Sequence, residues 1–341
     1  MKLHLLAASS LFLVSCNMSV GQDVTKTKAA IRPELARLVR KIAADNMLKS
    51  AGVGEAGVRT SQWERYETLK EKATDEELKT LTDDSNSVVR CYAFQALASR
   101  KTDVYPILLQ HLADTAQVRT FMGCIISSIK TGDYFIDVVT PDYVDPSCYK
   151  LTSNQQTALD SILLNNITVR VDKKTQLLAV IKPNPKFYKQ IRKQAEQGSP
   201  QATLALARFQ KESDINIIMS LFSGSEINNY YAIYSAREYP SPTFYPLLVK
   251  NFESEWHEKL YDYSKWRLLY QALANYPTDE TYKLFERTVH TTDDFRRQIL
   301  GTYLMIALKK YPNPKFTSLM PLIKLDRYHL DDVYSQGNIE K

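Results

Sequence analysis

Apolar residues recur every three to four positions through most of the chain, the spacing of one face of an α-helix. Pro33 opens the first such segment, with Leu35, Leu38, Val39 and Ile42 on one side. Residues 43–50 read as its continuation and residues 52–57 interrupt it. A second helix carries Trp63, Tyr66 and Leu69, and a short one follows around residues 76–81. Ser85-Asn86-Ser87 supplies N-cap side chains for Val88, Val89, Tyr92, Ala93, Ala96 and Leu97. A break at Lys101-Thr102-Asp103 leads into another helix over 105–112. The pattern changes at Val118, Thr120, Met122, Cys124 and Ile126, which alternate as in a strand, with Gly132, Pro141 and Pro146 as breakers. Residues 118–150 therefore read as an insertion with β character.

The second half repeats itself. Tyr239-Pro240-Ser241-Pro242, Tyr276-Pro277-Thr278-Asp279 and Tyr311-Pro312-Asn313-Pro314 follow one another at spacings of 37 and 35 residues. Each comes after a helix ending in Ser235-Ala236, Ala272-Leu273 or Ala307-Leu308. Tyr231, Leu268 and Tyr303 stand nine residues before the respective Pro, and a second apolar helix begins near Phe244, Tyr282 and Phe316. Lys182-Pro183-Asn184-Pro185-Lys186-Phe187 and Ala205-Leu206 mark two fainter copies. Pro ends the first helix of each pair, Asn, Ser, Thr or Asp caps the second, and Ala lets neighbours approach. One such pair cannot bury its own apolar face, whereas a stack of them makes a continuous core.

Asp84-Ser85-Asn86-Ser87-Val88-Val89-Arg90, followed by Ala93, Ala96 and Leu97, resembles a HEAT-type repeat. The Trp, Gly, Tyr and Ala spacing of tetratricopeptide repeats is missing, so the resemblance over 84–113 and 183–324 is to HEAT-like arrays. It implies an all-α fold: a HEAT-like α-solenoid of stacked helix pairs with a short irregular or β-containing insertion near 118–150. It also implies a concave surface, usually lined by the second helices, that binds other proteins. The chain divides into a signal peptide (1–15), a tether (16–32), an N-terminal helical region with one HEAT-like repeat (33–117), the insertion (118–150), a C-terminal array (151–325) and a tail (326–341).

Composition narrows the picture. Ten Gly in 341 residues is less than half the ordinary ~7%, which argues against sandwiches, barrels and nucleotide-binding sheets. A net charge of +6, from 44 basic and 38 acidic residues, is too balanced for a dedicated nucleic-acid binder. Tyr, at 21, is the surplus residue.

The first fifteen residues have the pattern of an export signal, with Lys2 before an apolar run too short to span a bilayer. Leu13-Val14-Ser15-Cys16 resembles the lipobox of bacterial lipoproteins. That resemblance implies cleavage before Cys16, its acylation, and anchoring to a membrane of the cell envelope. Ser19-Val20-Gly21 offers a second cleavage site, which would discard Cys16 and release a soluble periplasmic or secreted chain. In an exported setting Cys124 and Cys148 are candidates for a disulfide, and Cys91 reads as a small buried hydrophobe.

Catalytic signatures are scarce. Gly52-Val53-Gly54-Glu55-Ala56-Gly57 matches G-x-G-x-x-G, but a helical approach and no βαβ unit make it a helix–helix connection. No His or Cys lies at metal-ligand spacing, and no G-x-S-x-G is present, so neither a metal nor another cofactor is expected. His111 and His290 are placed near helix ends, and Asp83-Asp84 and Asp293-Asp294 before helices. Tyr230, Tyr231 and Tyr234, with Tyr261, Tyr263 and Trp266, surround two helices. Tyr231 belongs to the core by its repeat position, and Tyr230, Tyr234, Tyr261 and Tyr263 form a candidate binding surface. The expected function is a non-catalytic scaffold for a protein partner. The alternative is an envelope glycan-binding module or enzyme, its site among Asp133, Tyr134, Asp137, Asp142 and Asp145 on loops of the insertion.

Overall fold

The computed structural model describes residues 30–140, 145, 147–258 and 262–339. The signal, Cys16, most of the tether, Asp142 and Tyr261 lie outside them. The fold is all-α with a small β insertion. In chain order the elements are α1 (Pro33–Asp45), β1 (Leu48–Val53), α2 (Ser61–Lys72), α3 (Asp75–Leu81), α4 (Ser87–Ser99), α5 (Tyr105–His111), β2 (Gln117–Gly123), β3 (Ile125–Lys130) and α6 (Thr131–Val139). Then come α7 (Ser153–Asn165), α8 (Asp172–Val180), α9 (Tyr188–Glu196), α10 (Pro200–Ala207), α11 (Ile215–Leu221) and α12 (Glu226–Glu238). The chain continues through α13 (Tyr245–His257), α14 (Tyr263–Leu273), α15 (Asp279–His290), α16 (Asp294–Lys310) and α17 (Arg327–Ile339).

The N-terminal body forms around α4, which is mostly apolar and buried at every position from Val88 to Ala98 except Arg90. Such a helix belongs in a core rather than at an edge. It packs against α1, α2, α3, α6, β1 and β2. Asn86 caps it by accepting from Val88 N and Val89 N. Thr74 and Glu77 close a capping box on α3. Glu77 also receives the Arg32 guanidinium at 2.9 Å, and that hydrogen bond holds its carboxyl down at about 2. Arg32 thus clamps the start of the described chain to the body.

The β insertion differs from its expected form in two ways. First, it recruits residues from outside 118–150: β2 pairs antiparallel with β3 and parallel with β1, in the order β1-β2-β3. Residues 48–50, read as helical, are strand, because α1 stops at Asp45 with Asn46 in the left-handed region at φ 51°. Second, the insertion ends in α6, whose residues Thr131 to Phe135 are buried.

A strand therefore does enter the Gly-rich loop, and parallel β1 and β2 are joined through helices, contrary to the sequence reading. The loop nonetheless folds onto itself. Gly54 and Gly57 take φ of 73° and 61°, and Val53 and Val58 exchange both backbone hydrogen bonds. Gly57 N donates to Gly54 O and Gly54 N to Gly123 O, so these amides are already used. The α2 N-terminus receives its cap from Thr60. A phosphate cradle needs those N–H groups open.

From α8 onward the chain is a stack of helix pairs. First helices α8, α10, α12, α14 and α16 pack directly on one another in that order. These helices carry small buried residues: Ala202 and Ala205 on α10, Ala232 and Ala236 on α12, Ala272 on α14 and Ala307 on α16, while Gly301 on α16 faces Ile323 and Leu325. The second helices α9, α11, α13 and α15 pack chiefly on the first helix of the following pair, α10, α12, α14 and α16 respectively. In the last pair a 3-10 segment, Pro314–Leu322, replaces the expected second α-helix, and Pro321 lies within it. Pro185–Phe187, Pro242–Phe244 and Pro314–Leu322 all begin with a 3-10 turn that buries Phe187, Phe244 or Phe316. Asn184 and Asn313 accept from Lys186 N and Lys315 N in the same way. Residues 327–339, expected as tail, form α17 against α16.

The sequence period reappears as a ladder of hydrogen bonds between equivalent places in successive pairs. The Tyr276 hydroxyl accepts from Ser241 N at 3.0 Å and donates to Ser241 O at 2.8 Å. Tyr245 meets Thr278 at 2.7 Å, Arg287 meets Glu253 at 2.5 Å, and Lys315 meets Asp279 at 2.5 Å. Removing the Tyr276 hydroxyl leaves the buried Ser241 amide and carbonyl without these bonds, at a cost of roughly 1–3 kcal/mol. Tyr276→Phe should therefore lower stability in urea unfolding by about that much, whereas Tyr328→Phe, at a 74% exposed position, should stay within about 0.5 kcal/mol of wild type.

Candidate binding face of the tyrosine helices

Tyr230, Tyr234 and Arg237 stand at i, i+4 and i+7 on α12, and Ser264, Leu268 and Gln271 repeat that spacing on α14, with Arg267 beside them at i+3. The two stripes face each other across a groove of about 190 Å³. Residue spacing explains the placement. Ala232, Ile233, Ser235 and Ala236 turn the other side of α12 inward, so the tyrosines ride along the seam.

The rings meet edge to face. Tyr230 lies 5.5 Å from Tyr231 and 6.4 Å from Tyr234, both at 86°. The Arg237 guanidinium sits 4.2 Å over the Tyr234 ring, close enough for a cation–π contact of about 0.5–2 kcal/mol. It donates to Gln271 Oε1 at 2.5 Å and to Glu238 Oε1 at 2.7 Å. Burial works against the Arg237 charge, but the Glu238 hydrogen bond and nearby Tyr311 and Tyr234 outweigh it and hold the group above its ordinary value. Burial raises the Tyr230 hydroxyl, and Tyr234 and Tyr231 add to the effect. Burial likewise raises Tyr303 on α16, which also feels Arg267 and Tyr263. Farther along, Lys309 lies 4.3 Å over the Tyr334 ring of α17.

The structure thus brings Tyr230 and Tyr234 into one groove and sets Tyr263, 42% exposed, at the start of the facing helix. Tyr231, expected in the core, is only half-buried. The face belongs to the first helices rather than to the second helices named by the resemblance. Arg237, Arg267 and Gln271 were missed. The i+7 repeat from Tyr230 to Arg237 was the available signal. No protein-family model, curated protein or solved structure matches the chain. What this arrangement offers chemically is aromatic faces beside fixed guanidinium groups, suited to recognition.

Of the residues expected on loops of the insertion, Asp133, Tyr134 and Asp137 lie on α6, whereas Asp145 lies in an irregular segment. Asp133 is buried on α6 and accepts from Asp172 N and Lys173 N, at 2.9 and 2.7 Å. It caps α8, whose own N-cap, Val171, has no side-chain acceptor. Burial pushes its carboxyl up, and the two amides pull it back in part. Tyr134 is buried and donates to Gln95 Oε1 at 2.8 Å. Asp137 pairs with Lys173 at 2.6 Å, and Asp145 accepts from Ser147 N. His111 and His290 do end α5 and α15, and Asp293 caps α16. Among the described residues no helix is long and apolar enough to cross a membrane.

The candidate disulfide between Cys124 and Cys148 does not form: Cys91, Cys124 and Cys148 are all free. Cys124 is carried into solvent at the tip between β2 and β3, while Cys148 is buried in the N-terminal core. Burial raises the Cys91 thiol far above its ordinary value, and burial with Asp145 pushes Cys148 up to about 11. Only thiolates alkylate readily. Iodoacetamide at pH 8 should modify Cys124 in the native protein, and Cys91 and Cys148 only after denaturation, as read by peptide mass spectrometry.

Proposed function

We propose that the chain is an exported, lipid-anchored, non-catalytic scaffold, a HEAT-like α-solenoid that binds a protein partner through the tyrosine face of its first helices. The observation that carries this reading is the groove between α12 and α14, where Tyr230, Tyr234 and Arg237 confront Arg267 and Gln271. Tyr and Arg dominate binding hot spots because they present large rigid faces with polar edges. Stacked helix pairs expose such faces over several repeats. The lipobox-like Leu13-Val14-Ser15-Cys16 supports the anchor.

Site-specific photo-crosslinking in intact cells tests the face. A photoreactive side chain at position 263 should capture a discrete protein, whereas one at exposed Lys250 on α13 should not. Tyr234→Ala and Tyr263→Ala should each weaken that complex by about tenfold, corresponding to a truncation cost above about 1 kcal/mol. Equal capture from both positions, or none from 263, removes the face from the reading.

The anchor has its own test. Mass spectrometry should find an acylated cysteine at the mature N-terminus, and Cys16→Ala should leave the helical body folded but shift it out of the membrane fraction. An unmodified N-terminus at Gln22 would instead mean a released chain.

A further inference from the structure

A second cavity, about 290 Å³, lies in the N-terminal body, far along the chain from the tyrosine helices. Its wall includes Ser50, Trp63, Gln95, Met122, Tyr134 and Asp145, drawn from β1, α2, α4, β2, α6 and the segment after α6. The volume is at the small end of the range for ligand pockets. Most of the lining surface is apolar, with polar groups brought to it by Lys49, Ser50, Gln95, Tyr134 and Asp145.

One of them is unusual. Gln95 is 6% exposed, yet it sits in the middle of α4, the most buried helix of the molecule. Its Oε1 accepts from Tyr134, and Tyr134 is the one side chain bonded to it. An amide has two N–H donors, and those of Gln95 have no acceptor among the described residues. Trp63 Nε1, in the same wall, is also buried without an acceptor. Leaving the buried Trp63 donor unmet is costly, and the Gln95 amide beside it has N–H groups available to a ligand acceptor. Charge in the wall is mixed. The Lys49 ammonium is held by Asp45 at 2.8 Å, and the Asp145 carboxylate accepts from Ser147 N at 2.9 Å. Neither a lone anion nor a lone cation finds a free opposite charge there.

We propose that this cavity binds a small neutral molecule with an apolar, planar body and one hydrogen-bond acceptor, a carbonyl, received by the Gln95 amide beside the Trp63 ring. The site is separate from the tyrosine face, so the scaffold reading stands or falls independently of it.

The test uses the full chain labelled with ¹⁵N at its tryptophan indoles, which are three in number, with Trp63→Phe assigning the Trp63 signal. Acetophenone should move the Trp63 signal saturably while leaving Trp256 and Trp266 in place. Isopropylbenzene, of the same shape but lacking the oxygen, should bind at least about tenfold more weakly, as a site built around a hydrogen bond discriminates. Benzoate should also bind more weakly. Gln95→Glu keeps an oxygen for Tyr134 but removes the donor, and should lower acetophenone affinity at least about tenfold with the far-UV spectrum unchanged. Ala51→Phe, at an exposed position of the pocket wall, should block binding without touching the core. The proposal is overturned by an unmoved Trp63 signal, by equal affinity for acetophenone and isopropylbenzene, by tighter binding of benzoate, or by affinity that survives both variants.

Discussion

Buried backbone groups that the helix and sheet ladders leave unpaired must find partners elsewhere, and at two places in this protein, one in a link between helix pairs and one on strand β1, a tyrosine hydroxyl meets that demand. The Tyr276 hydroxyl closes on both the amide and the carbonyl of Ser241, and the Tyr92 hydroxyl does the same for Lys49, at 2.9 and 3.1 Å. In each case one phenol replaces two hydrogen bonds that a regular element would have made. The first couple fixes the link between successive helix pairs, and the second fixes β1 against α4. Burial lifts both hydroxyls, Tyr276 to about 12 and Tyr92 further, so they stay protonated and able to donate. The tyrosine surplus is thus partly structural, and the face between α12 and α14 draws on what remains.

The repeated half was the most legible part of the chain. Tyr-Pro pairs at near-constant spacing mark where first helices end, and Asn184, Thr278 and Asn313 mark where the next segment is capped. These signals are local, so they survive without knowledge of the fold. The strand β1 was not legible. Its two buried residues, Leu48 and Val53, stand at opposite ends of a short segment, and its partner β2 begins at Gln117. Only a pairing across that distance makes it a strand. Residues 327–339 failed for a similar reason, because their helix is held by α16 and carries little apolar pattern of its own.

The candidate site was half legible. Tyrosines at i and i+4 on α12 announce a stripe, but whether the stripe is seam or surface depends on how α14 is set against it. The same limit explains the acidic residues of the insertion. Asp133 looked like a loop carboxylate beside Gly132. Its partners, the amides of Asp172 and Lys173, lie about forty positions away, and once they are in place the charge is committed to capping. A carboxylate without a visible partner in the sequence is not thereby available for chemistry.

Among the described residues most buried apolar side chains fall into three clusters, and the one between the N-terminal body and the rest of the stack is the smallest, built from Leu164, Leu178, Phe187, Ile191, Ala195, Ala202, Ala205 and Leu206. Its members are modest in size compared with the aromatic-rich clusters on either side. Because each pair in such a stack is held mainly by its neighbours, the loss of one side chain from this cluster takes a larger share of the local packing than the same loss from either of the others. Truncation is therefore felt most sharply between α8 and α10, where few other apolar side chains can close over the gap.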